Sequence, residues 1–224
     1  MSNARLLRDM PSGELRAKCG VVGLRLQWEL RGQACLPLDL APAAKQETCV
    51  SRSFSRPITS LGELRQAVAS YVVRAAEKLR KQRQRTAALT VYTRTSPFVP
   101  GFYSQTASCR LDLPSNDTAE LLAATLPLVD RIFRPHRQLA KAGVLMQHLQ
   151  GSETLQGHLM VPTSEEEHQR RHDLMQTIDQ LNRRYGRGTV QWAACGLHPS
   201  WMMRRERMGR TATTRLSGVP LVHA

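Results

Sequence analysis

The sequence predicts an α+β fold: a four-stranded, mainly antiparallel sheet with two helices on one face. A helical piece precedes this unit and a small α/β C-terminal segment follows it. Three observations predict the fold. Residues 49–57, 89–96 and 106–113 alternate in character with the period of two that a half-buried strand requires. Two stretches with apolar residues at steps of three and four follow the first and third of these segments. Pro97, Pro100 and Gly101 then stand between the second and third strands, as a turn joining antiparallel neighbours does. With a last strand over about 138–149, the order becomes β-α-β-β-α-β, which closes as one sheet with both helices packed on it.

Each element has its own justification. Residues 4–31 read as helical from Leu6, Leu7, Leu15, Val22, Leu26 and Leu30, with Gly32 as the stop and Pro37 and Pro42 in the connector. Cys49–Pro57 (CVSRSFSRP) sets small hydroxyls against Val50, Arg52, Phe54 and Arg56, so one face of this strand is long and largely cationic. Ser60-Leu61-Gly62-Glu63 is a capping box, and Leu61, Leu64, Val68, Val72, Ala75 and Leu79 mark the buried face of the helix it opens. Cations crowd the last turn of that helix, where they suit its dipole. In 89–96, Leu89 and Val91 face one way and Tyr92 and Arg94 the other. In 106–113, Cys109, Leu111 and Leu113 face inward, and Thr106, Ser108 and Arg110 outward. Asn116 or Asp117 caps the second helix, which Pro127 is expected to kink or split. Beyond the sheet, Ser164 and Glu165–Glu167 open a helix towards Arg184 that Gly186 and Gly188 end. Thr189–Ala194 reads as a strand, and Trp201–Arg205 as a basic amphipathic segment. The expected boundaries are 1–45, 46–150, 151–163 and 164–224.

Charge narrows the function. Lys and Arg number 32 against 18 Asp and Glu, a net charge of +14, with a pI near 10.6. Residues 51–110 alone hold eleven Lys or Arg and two acids, Glu63 and Glu77. This excess points to a polyanionic partner, nucleic acid ahead of a membrane. No run of about 18 apolar residues exists to span a bilayer, and MSNARLLRDM lacks the apolar core of a secretory signal, so a cytoplasmic protein is expected. The cysteines, Cys19, Cys35, Cys49, Cys109 and Cys195, include no C-x-x-C pair and read as reduced, buried thiols. The open face of the sheet, turned away from the helices, is expected to carry Arg52, Arg56, Tyr92, Arg94, Arg110 and Lys141 as phosphate contacts.

Catalytic signatures are absent. There is no phosphate-binding G-x-x-x-x-G-K-[ST] loop and no G-x-S-x-G elbow. His168 and His172 stand one helical turn apart beside Glu165 and Glu166, but no third ligand accompanies them, and a solvated helix face accounts for them. The acids are scattered rather than gathered to hold paired metal ions. No catalytic residue and no metal ligand is assigned.

Four short motifs follow in order: Val50-Ser51-Arg52-Ser53-Phe54, Ala75-Ala76-Glu77-Lys78-Leu79-Arg80, Thr95-Ser96-Pro97-Phe98 and Lys141-Ala142-Gly143-Val144. Together with Arg187-Gly188-Thr189 and Thr213-Thr214-Arg215, they resemble the C-terminal half of UmuC-type proteins, the catalytic subunit of the Y-family, SOS-mutagenic DNA polymerase V. The resemblance runs from about residue 4 to 215. It implies that 1–45 is the end of the thumb with its connector, 46–150 the little-finger DNA-binding domain, and 164–224 the UmuC-type tail. The family's palm and fingers, whose carboxylates hold Mg2+, have no counterpart in this sequence, so no cofactor is expected in this chain and no polymerisation unaided. Gln156-x-x-Leu159-Met160 resembles the peptide by which bacterial polymerases dock on the sliding clamp. The resemblance further implies primer–template or damaged DNA, a UmuD′ dimer and RecA as partners, and association with the bacterial nucleoid. Trp201 and Met202 read either as anchors for such partners or as a small core of the tail. Two rival functions remain: a stand-alone DNA- or clamp-binding protein that competes for template, and an RNA-binding protein. For the second, Phe54 and Tyr92 are a poor set of stacking aromatics.

Overall fold

The computed structural model describes residues 3–35, 44–152, 165–197 and 199–203. The chain divides into two compact units, 1–44 and 45–224.

The first unit is helical, with α1 over Ala4–Asp9 and α2 over Ser12–Leu30. Asn3 caps α1 by accepting the Leu6 amide at 3.0 Å. The buried Gln27 side chain donates to the carbonyls of Met10 (2.6 Å) and Leu7 (3.1 Å) and accepts from Ser12 Oγ (2.8 Å). It thereby satisfies carbonyls that the end of α1 leaves without helical donors.

The second unit runs β1 (Thr48–Ile58), α3 (Leu61–Lys81), β2 (Gln84–Thr95), β3 (Ser104–Ser115), α4 (Thr118–Ile132), β4 (Leu139–Gly151) and α5 (Glu165–Tyr185). The β-α-β-β-α-β order expected from the sequence is present, and all strand pairs are antiparallel in the order β1-β4-β2-β3. One sheet face carries Val50, Phe54, Ile58, Leu89, Val91, Ala142, Val144 and Met146, all buried. Against it pack Leu64, Val68, Val72, Ala75 and Leu79 of α3 and Leu121, Leu128, Val129 and Ile132 of α4. Each Val, Leu, Ile, Phe or Met among them removed from water contributes about 1.5–3 kcal/mol.

Several local expectations are corrected. Ser60 precedes α3 but makes no side-chain cap, and the carboxylate of Glu63, its expected capping-box partner, is engaged by Arg56 and by Ser200 Oγ at 2.8 Å. Asp117 does cap α4, accepting the amides of Ala119 (2.7 Å) and Glu120 (3.3 Å). Helix α4 runs through Pro127 as one element. The carbonyl that loses its donor there belongs to Ala123, which is exposed, so water can satisfy it. Residues 189–194 form no strand; a 3-10 turn over Ala193–Cys195 lies there, and Trp192, Ala194 and Cys195 pack against the core. All five cysteines are free, yet Cys19 and Cys49 are exposed rather than buried.

The tail segment is built into this unit. Asp179 of α5 accepts two bonds from Arg80 of α3, and Arg171 donates to Glu120 of α4 at 2.7 Å. Trp201 is buried, edge-on to Phe54 and Tyr71 with ring centroids 6.3 and 5.8 Å away. Of the two expected anchors, Trp201 therefore belongs to the core of the sheet unit, while Met202 is exposed. Among the described residues, no helix is long and apolar enough to cross a membrane.

Candidate nucleic-acid interface

The pairing register fixes which residues share the open face. Ser53, Lys141, Arg94 and Ser104 form one row across the four strands. Ser51, Gly143, Tyr92 and Thr106 form the next, followed by Cys49, Leu145, Thr90 and Ser108. A shorter row holds Gln147, Ala88 and Arg110. Seven hydroxyls and three cations thus lie on a surface that presents no carboxylate in these rows. Thr90 Oγ1 lies 2.8 Å from Ser108 Oγ and donates to the Gln147 side chain at 2.9 Å, so part of the hydroxyl set is already oriented.

Of the six residues expected on this face, the register brings four together: Tyr92, Arg94, Arg110 and Lys141. Arg52 lies on the other face, and Arg56 falls in the irregular stretch between Ser53 and Ile58, outside the regular pairing. Arg52 pairs with the buried Ala142 and so points to the helix-covered side. Its guanidinium stays in water because β1 is an edge strand, and it donates to the Ser51 carbonyl at 2.9 Å. Arg52 lies in a second group of cations with Arg74, Lys45 and Lys78. Burial first, then these neighbouring charges, pushes the Lys78 ammonium below its ordinary pKa. Arg56 is tied to Glu63 and to Ser200 Oγ at 3.1 Å. Gln156, Leu159 and Met160 lie outside the described residues.

Arg94 and Lys141 stand directly opposite each other on neighbouring strands. Like charges in that position repel, and neither makes an ion pair among the described residues. Other cations of the unit are neutralised internally: Arg65 by Asp130, Arg74 by Glu77 and Arg80 by Asp179. The sheet face therefore carries positive charge that no carboxylate among the described residues neutralises.

Tyr92 lies across Gly143. A Cβ at Gly143 would come within 2.6 Å of Ser51 Cβ and of the Tyr92 ring, distances no side chain tolerates. The Tyr92 hydroxyl reaches to 4.0 Å from Cys49 Sγ. Burial raises its pKa, so it remains a neutral phenol able to donate to an anion. Gly143→Ala is expected to destabilise the unit by about 1–3 kcal/mol through overpacking. Urea denaturation checks this, and the Gly143→Ala/Tyr92→Ala pair should lose less than the sum of its parts.

Among the described residues no three His, Cys, Asp or Glu side chains are grouped to hold a metal ion, so no donor set here fits Mg2+. His168 lies 3.2 Å from an Arg85 nitrogen and His172 2.7 Å from the Gln176 amide, on separate partners.

The comparisons agree with this architecture. The family description "impB/mucB/samB family C-terminal domain" matches residues 45–159, and "Domain of unknown function (DUF4113)" matches 172–222. The chain is 36% identical over 223 residues to Protein ImpB of Salmonella typhimurium, covering 99% of this chain and 52% of that protein. It is 35% identical over 213 residues to Protein UmuC of Salmonella typhimurium, covering 94% and 50%. Against Protein MucB of Escherichia coli it is 35% identical over 209 residues, covering 92% and 49%. The chain thus spans about half the length of the curated relatives it matches. It belongs to the impB/mucB/samB family, and its four-stranded sheet with two covering helices is the C-terminal domain of that family.

Proposed function

We propose that the sheet unit is the little-finger DNA grip of a UmuC-type translesion polymerase, holding primer–template through its phosphates without reading sequence. The observation that carries this reading is the opposed, unneutralised pair Arg94 and Lys141 on a hydroxyl-lined face, with Arg110 three rows away. A phosphate between two like charges relieves their repulsion, and short hydroxyls add donors that suit any backbone. Contact confined to the backbone suits a grip that must accept any sequence. Tyr92 adds a neutral donor at the centre of the face. By the same resemblance, Gln156, Leu159 and Met160 are proposed to dock on the sliding clamp, and UmuD′ and RecA to be further partners. The polymerase chemistry is proposed to belong to the family's palm carboxylates, for which this chain offers no match.

A salt titration of binding to fluorescent primer–template DNA tests the grip. Neutralising three phosphates predicts a log–log slope of roughly −3. Arg94→Ala, Arg110→Ala and Lys141→Ala should each flatten it by about one unit, whereas Arg56→Ala should leave it unchanged. Binding with no salt dependence, or a preference for single-stranded RNA of equal length, would overturn the reading.

A further inference from the structure

The β2–β3 hairpin ends in an apolar tip that no described residue of the second unit covers. Phe98 is 94% exposed, Val99 57% and Phe102 56%. Clustered apolar exposure of this kind marks an interaction site. The tip is also held in shape. The Thr95 amide donates to the Tyr103 carbonyl and the Tyr103 amide to Thr95 Oγ1, both at 2.9 Å. The Phe98 amide donates to Ser96 Oγ at 3.3 Å. Pro97 and Pro100 fix two backbone angles, and Gly101, at φ +82°, makes the turn that returns the chain to β3. The aromatic rings therefore ride on a pre-organised ribbon, which limits the entropy lost when they bind.

The base of this ribbon is cationic. Arg94 and Lys141 face each other there, and the Arg137 guanidinium lies 5.0 Å from the centre of the Tyr103 ring. No acid occurs between Glu77 and Asp112 in the sequence. Protein-docking patches are depleted of lysine around their apolar centre, whereas Lys141 stands at the base of this one. Aromatic rings set beside phosphate-seeking cations instead match the way single-stranded nucleic acid is held, with bases stacked on rings and the backbone on Lys and Arg.

We propose that the hairpin tip, through Phe98, stacks on an unpaired nucleobase of the DNA held by the open face. This rests on the DNA-grip reading and gives it a preference: DNA carrying an unpaired base should bind better than fully paired duplex.

The test uses the full chain with two fluorescent duplexes, one fully paired and one with a single unpaired base. Wild type should favour the second. Phe98→Ala should lose roughly tenfold on it, little on the paired duplex, and keep the same salt slope, because no phosphate contact is removed. Phe98→Trp should retain the preference, while Phe98→Leu, apolar but without a ring face, should behave as Ala does. Thermal melting of the variants should match wild type, since the ring is in water. Salt-dependent binding that is indifferent to Phe98, or an equal loss on both duplexes, overturns the stacking role and leaves the grip standing. Absence of salt-dependent binding by wild type overturns the grip and the stacking with it.

Discussion

Trp201→Ala is expected to destabilise the sheet unit by about 3–5 kcal/mol, the range for removing a buried tryptophan. The ring is 4% exposed and meets Phe54 of β1 and Tyr71 of α3 edge-on. Its backbone carbonyl also accepts the Ser55 amide at 3.1 Å, joining the tail to the edge of the sheet. Deletion of the side chain leaves a cavity between a strand and a helix that are held apart by other contacts, so collapse cannot fill it. The melting temperature should fall by roughly 10 °C, and Trp201→Phe should recover part of the loss. Far-UV circular dichroism during urea denaturation measures the effect. A change below about 1 kcal/mol would show that the tail does not complete this core.

Arg80→Ala is the second large expectation, also at about 3–5 kcal/mol. Arg80 is 9% and Asp179 19% exposed at the side chain, and they share two bonds of 2.7 and 2.8 Å. The remaining guanidinium nitrogen donates to the Asn116 carbonyl (2.7 Å) and to Thr118 Oγ1 (2.9 Å), at the start of α4. One side chain thus ties α3, α4 and α5. Its loss strands a largely buried carboxylate and leaves the Asn116 carbonyl short of a donor, which costs more than the pair itself contributes. Arg80→Met combined with Asp179→Leu should therefore be less destabilised than the Arg80 variant alone. Hydrogen exchange in α5 should quicken in the single variant and largely recover in the double. Unchanged exchange in the single variant would separate α5 from the stability of the sheet.

Much of the sheet unit was legible because its elements repeat with clean periods. Leu89, Val91, Cys109 and Leu111 declare one face of β2 and β3, and the α3 stripe declares its partner. The faces of β1 were not legible from charge. Val50 and Phe54 share a parity with Arg52 and Arg56, and the two apolar side chains decide the inward direction. An arginine on that side is tolerated only where it can reach past the sheet's edge to water. That β1 is an edge follows from β4 inserting between β1 and β2, an order that no local pattern encodes. The hydroxyls of Ser51 and Ser53, read as the small side of the strand, turn out to belong to the candidate interface. Thr189–Ala194 misled for a related reason: Trp192 and Ala194 pack against a helix without strand partners, so their spacing mimics alternation. The apolar hairpin tip contributed Thr95–Phe98 to the family resemblance, but exposure is a property of the fold and left no mark in the motif.

Trp201 stands 146 residues after Ser55, whose amide its carbonyl accepts. Synthesis runs from the N-terminus, so strands, hairpin and both covering helices leave the ribosome before the residue that closes the gap between Phe54 and Tyr71. Until it arrives, the nascent unit presents an open aromatic seam, the kind of transient surface that promotes misassembly. A chain stopped short of Trp201 will carry that seam permanently, and quality control by chaperones and proteases reads such seams.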